Sequence, residues 1–147
     1  MKKSFFITLF ALSSLLPLHA HSATPTEDLS TCLVDTLNGN ERKELMKWIF
    51  FAMASHPEIS PFSKVNSDDR ESSDKLMGDL VTRLLTEDCP DEMKLAHASN
   101  PLAIEKAFEV VGQVAMQELM TNQQVNQSIA NYSQYADTNK ITSILTE

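Results

Sequence analysis

The chain carries two cysteines, Cys32 and Cys89, and no others. If they bond, two distant stretches of a short chain must meet. Whether they can bond depends on the compartment, and the N-terminus speaks to that. Lys2 and Lys3 precede an apolar run over residues 5–18, and small and polar residues follow. This is the tripartite pattern of a secretory signal peptide. The apolar run is too short to cross ~30 Å of hydrocarbon as a helix. Residues 1–20 are therefore expected to be a signal peptide cleaved after Ala20, with Ala23 the alternative, and residues 21–147 a single helical domain.

An exported chain meets an oxidising compartment, where an even count of two cysteines reads as one disulfide. A bridge closing about 58 residues restricts the unfolded chain by roughly 4 kcal/mol in the chain-entropy model. No Cys-x-x-Cys occurs, so a thioredoxin-like role has no support, and two cysteines are too few for a Cys-rich zinc site. Leu29-Ser30-Thr31-Cys32 resembles a lipoprotein cleavage box. Pro25, Glu27 and Asp28 separate it from the apolar run, so Cys32 reads as structural rather than lipid-anchored.

The chain holds 12 Lys+Arg against 20 Asp+Glu. Removing residues 1–20 deletes Lys2 and Lys3 but no acid, which leaves a net charge of about −10. No positive excess is available to phosphates, so nucleic acid is not an expected partner. No later stretch approaches membrane-spanning length, so no membrane anchor is expected after cleavage. The periplasm is the expected location, with full secretion the alternative. In a eukaryotic host Asn126-Gln127-Ser128 and Asn131-Tyr132-Ser133 would be glycosylation acceptors.

Helix signals run the length of the mature chain, and only three glycines interrupt it. Thr24-Pro25-Thr26-Glu27 reads as a capping box with proline at the first helical position. That helix should stop at Asn38-Gly39. Asn40 can cap a second helix over 41–55, apolar around most of its circumference through Leu45, Trp48, Ile49, Phe50, Phe51 and Met53. The same Trp48–Phe51 run could instead mark a partner groove. The favoured reading makes this helix central and Trp48 and Ile49 almost fully buried.

A third helix begins near Asp68, where acids suit the positive end of its dipole, and ends at Cys89. A short helix follows from Pro90 to about Ala98, then a long one from Asn100-Pro101 to Met120. Residues 121–136 carry no charge. Val125, Ile129 and Tyr132 keep helical spacing there and predict a packed final helix, with a last turn or two at 141–145. No β-alternation appears. The expected fold is all-α: one small bundle of five to six helices with one disulfide.

Candidate chemistry is sparse. No Gly-x-Ser-x-Gly is present. His56, before Pro57, reads as a helix-end or surface residue, and His97 sits at an unremarkable helical position. The acid pairs Asp68/Asp69, Glu87/Asp88 and Asp91/Glu92 flank helix ends, where solvated dipole partners are the simpler reading. Glu118 falls beside Val111, Val114 and Ala115 by helical geometry and is the one candidate buried acid. Copper has two conceivable sites. His21 would become the N-terminal residue after cleavage at Ala20, and Met116 and Met120 lie four apart on one helix.

In build, a small exported helical domain with one long-range disulfide is similar to periplasmic acid-stress chaperones and to immunity proteins for secreted effectors. No motif carries that likeness, so no functional residue transfers with it. The expected function is a non-enzymatic periplasmic interaction module with no cofactor, binding a protein or peptide partner that is basic in charge. The alternative is a small periplasmic hydrolase using His56 with Glu58 or Glu118.

Overall fold

The computed structural model describes residues 22–145. The signal-peptide reading and the His21 copper reading lie outside the described residues. Within them the chain forms seven α-helices and no strand, one helix more than expected.

α1 (Pro25–Thr36) begins as its sequence predicts. Thr24 accepts from the Glu27 N–H, and the Glu27 carboxylate returns to the Thr24 N–H at 2.7 Å. α2 (Gly39–Met53) starts two residues earlier than residue 41. Asn38, not Asn40, is its cap, because only Asn38 has an acid three positions on. Glu41 closes that capping box at 2.9 Å. The same logic sets α3 (Ser67–Arg83), which Asn66 and Asp69 cap reciprocally. A single π-helical turn over Leu84–Asp88 then leads into α4 (Pro90–Ser99).

α5 (Ala103–Met120) is the hub. It packs against α1, α2, α4 and the start of α6 (Gln123–Ala130). Ala103, Ala107, Val111 and Ala115 recur every four residues along it, and all are buried. This row of small side chains lets Leu29 and Leu33 of α1 and Leu37 at its C-cap close in, and all three are buried. The expectation that α2 is the central helix is therefore corrected. Trp48 and Ile49 are half-buried, not fully buried, and Phe50 is 48% exposed. Bulky apolar residues all round a helix marked how much surface it could bury. The alanine row on α5 marked where backbones approach most closely.

Cys32 of α1 is bonded to Cys89, with Cα atoms 6.0 Å apart. The π turn places Cys89 for this contact. Its wider hydrogen bond, Cys89 N–H to Leu84 C=O at 2.9 Å, adds a residue to the turn just before the bridge.

Three arginines tie helix ends together. Arg42 donates to the Val34 carbonyl near the end of α1 at 3.1 Å. Arg70 donates to Phe51 and Ala54 carbonyls at the end of α2, at 2.6 and 3.3 Å. Arg83 pairs with Glu41 at the start of α2 and with Asp88 in the π turn. Each cation meets either the carbonyl end of a helix or an acid at a helix end.

Beyond α5 the chain leaves the bundle. Among the described elements, α6 packs against α5 and the 3-10 turn Asn131–Tyr135, and α7 (Thr138–Ile144) makes no close backbone approach to another. The expected packed final helix is thus corrected: Ile129, Tyr132 and Tyr135 are exposed. Their spacing is helical, but residues 131–135 tighten into the 3-10 turn and do not return to the bundle.

Removing the bridge as Cys32→Ala/Cys89→Ala should cost about 4 kcal/mol in urea unfolding. Unreduced, denatured wild-type protein should show no reactive thiol; two per chain would refute the bridge. Leu33→Ala should cost about 2–5 kcal/mol, since Leu33 is wholly enclosed at the α1–α5 contact.

Candidate functional site

α2, α3 and α5 do not close completely on one another. Between them lies a cleft of about 340 Å³ lined only by apolar residues and Gly112. Leu45, Met77, Leu84 and Val111 form its buried floor. Trp48, Ile49, Leu80 and Phe108 form half-buried walls. The Trp48 Nε1–H donates to Asp74 Oδ1 at 2.8 Å, which fixes the indole across to α3. Its polar edge is satisfied while its apolar body walls the cleft.

Gly112 contributes open room. A Cβ built there would meet nothing within 4 Å. Its φ is not positive, so no backbone strain requires glycine at this position. An apolar cleft of this size with a few polar groups at its border is the usual form of a binding site.

An acidic hollow of about 260 Å³ adjoins the cleft and shares Met77 and Leu80 with it. Glu41, Glu44 and Asp79 line it against the single cation Arg83. Apolar floor and acidic border together suit a ligand that carries apolar anchors and positive charge.

A second apolar surface lies where α2 meets the last turns of α5. Met46, Ile49, Phe50 and Met53 face Met116 and Leu119 there, with Lys43 and the Lys47–Glu44 ion pair at its border. Ile49 belongs to both surfaces. Trp48, Ile49 and Phe50 thus stand between two apolar surfaces, with Trp48 and Ile49 also packed against the core.

The other candidate residues scatter. His56 is exposed, and its Nδ1 accepts the Glu58 N–H at 3.2 Å within one turn. Glu118 is half-buried on α5 and lines a hollow whose residues include Lys43 but no histidine. His97 is exposed in the last turn of α4. Asp68 and Asp69 fall in the first turn of α3, and Asp91 and Glu92 in the first turn of α4, as dipole partners do. Asp88 binds Arg83. Met116 and Met120 lie on the exposed side of α5. Among the described residues no group of three or more His, Cys, Asp and Glu side chains is arranged to hold a metal ion. No described helix is long and apolar enough to cross a membrane.

No protein-family model matches the sequence, and no curated protein and no solved structure matches the chain.

Gly112→Ala should raise stability by about 0.5–1 kcal/mol, because the helix gains a better former and the new methyl enters open space. Chemical denaturation reads this directly. A loss of stability would mean that the cleft is closed in solution.

Proposed function

We propose that this chain is an exported, non-enzymatic interaction module that binds a basic protein or peptide segment in the cleft between α2, α3 and α5. The observation that carries the reading is the cleft itself: an entirely apolar lining beside an acidic hollow. An amphipathic segment would place aliphatic or aromatic side chains on Leu45, Met77 and Val111. Its lysines or arginines would lie along Asp79, since Glu44 already pairs with Lys47 and Glu41 with Arg83. This is helix-in-groove recognition with charge as the selector.

Export rests on the signal pattern of residues 1–20, cleaved at Ala20, and is supported by the Cys32–Cys89 bridge. The periplasm is the proposed location. A net charge near −10 on the mature chain would steer a cationic partner toward it. Binding is favoured over hydrolysis because His56 lies on the surface with its Nδ1 engaged by its own turn, while Glu118 lines a different hollow beside Lys43.

The test replaces Trp48 with a photo-crosslinking phenylalanine analogue in the mature protein, irradiated in its native envelope. Crosslinked partners should carry basic, amphipathic segments. Their affinity should fall between low salt and about 0.5 M salt, mainly through the association rate. Gly112→Leu should fill the cleft and abolish binding while the protein stays folded. Undiminished binding by folded Gly112→Leu would refute the cleft. A substrate turned over by purified protein, with activity lost in folded His56→Ala, would establish an enzyme instead.

A further inference from the structure

The two sulfurs of the Cys32–Cys89 bridge lie in unlike surroundings. Asp28, Thr31, Cys32 and Asp35 recur at the three- and four-residue spacings that share one face of α1. α4 packs against α1 and adds Glu92 and Leu95. With Pro25 these residues line a hollow of about 360 Å³ along the α1–α4 seam. Cys32 is half-buried and belongs to that lining. Cys89 does not. It is 0% exposed and sits in the core cluster, with Thr36 Oγ1 3.9 Å from its sulfur.

We infer that the bridge exchanges with an external thiol through Cys32 alone, with Cys89 as the leaving and resolving sulfur. An attacking thiolate forms a bond to Cys32 Sγ. The Cys32–Cys89 bond breaks, and its electron pair leaves on Cys89. The products are a mixed disulfide at Cys32 and a thiolate at Cys89. Return attack by Cys89 on Cys32 Sγ expels the external thiolate and restores the bridge, so the cycle consumes no oxidant. Bridge formation on the folded chain uses the same intermediate. The reduced Cys32 thiolate attacks an external disulfide and releases one thiolate; Cys89 then displaces the second.

The surroundings support each role. The hollow has room for the group that Cys32 takes up. Cys89 is the N-cap of α4, a ten-residue helix that no side chain caps, so the leaving thiolate lies at the positive end of that helix. Leu29 and Leu33 hold α1 against the alanine row of α5 without help from the bridge. The two cysteines, with Cα atoms 6.0 Å apart, thus stay within reach for the return step. Asp28, Asp35 and Glu92 line the hollow and no basic residue does, so a cationic thiol should enter faster than an anionic one.

The test incubates folded mature protein with cysteamine or with 2-mercaptoethanesulfonate, quenches in acid, alkylates free thiols under denaturing conditions and maps the products by mass. Each thiol's rate is normalised to its rate on the neutral disulfide of 2-mercaptoethanol. The adduct should fall on Cys32 and the alkylated thiol on Cys89. Normalised, cysteamine should be about tenfold faster at low salt, and the difference should shrink toward parity near 0.5 M salt. The tripeptide Lys-Cys-Lys separates the two sources of such a thiol. A larger advantage than that of cysteamine assigns the site to a protein thiol on a basic surface, and an equal one to a small thiol. Asp28→Asn/Asp35→Asn should remove the charge preference and keep the adduct on Cys32. In single-cysteine variants with the circular dichroism of the bundle retained, Cys32 of Cys89→Ala should react with oxidised cysteamine at least about tenfold faster than Cys89 of Cys32→Ala. An adduct on Cys89, or one divided evenly between the two sulfurs, would overturn the inference. So would a folded protein that forms no adduct at thiol concentrations that open the urea-unfolded chain. None of these readouts involves the cleft, so the two proposals stand or fall separately.

Discussion

The contact between α1 and α5 is the one on which the other helices depend. Leu29, Leu33 and Leu37 form one row and Ala103, Ala107, Val111 and Ala115 the other, and every one of them is buried. Leucines against alanines give large side chains a place to sit and backbones room to approach. The covalent bridge acts at the same place. Cys32 lies on α1 just before Leu33, so Cys89 draws the π turn and α4 against the helix that is already best packed. A restraint of about 4 kcal/mol is a large share of the 5–15 kcal/mol that holds a domain of this size together.

α2 and α3 complete the bundle less fully. Trp48 and Ile49 of α2 and Leu80 of α3 face Phe108 of α5 across the cleft, and these bulky side chains do not interlock as leucine and alanine do. The cleft results from this mismatch. One side of the molecule is packed to the limit and the other is left with room. Arg70 and Arg83 hold the looser side in place by its helix ends rather than by its middle.

Much of this was legible in the chain. The helical class, the Thr24 capping box and the Cys32–Cys89 pairing follow from local chemistry and from counting. Helix starts were misplaced where two caps competed, as at Asn38 and Asn40; the acid at Glu41 decides the matter. Burial was harder. A helical period states which residues share a face but not whether another element covers that face. Trp48 and Ile129 both keep the spacing of a core residue, yet Trp48 is only half-buried at the cleft wall and Ile129 is exposed. The cleft was beyond a linear reading, because its floor draws on α2, α3 and α5 at once. Gly112 was its one local trace, a glycine inside a strong helix without a turn to explain it.

The uncharged stretch over residues 121–136 has a consequence for proteolysis. Extended, sparsely packed segments are where proteases ordinarily cut first. Between Lys106 and Lys140 the chain offers no lysine or arginine. A protease specific for basic residues therefore passes over α6 and the 3-10 turn, however exposed they are. Tyr132 and Tyr135, both largely solvent-accessible, open the same segment to proteases that prefer aromatic residues. The lifetime of this segment thus depends on which specificity of protease it meets.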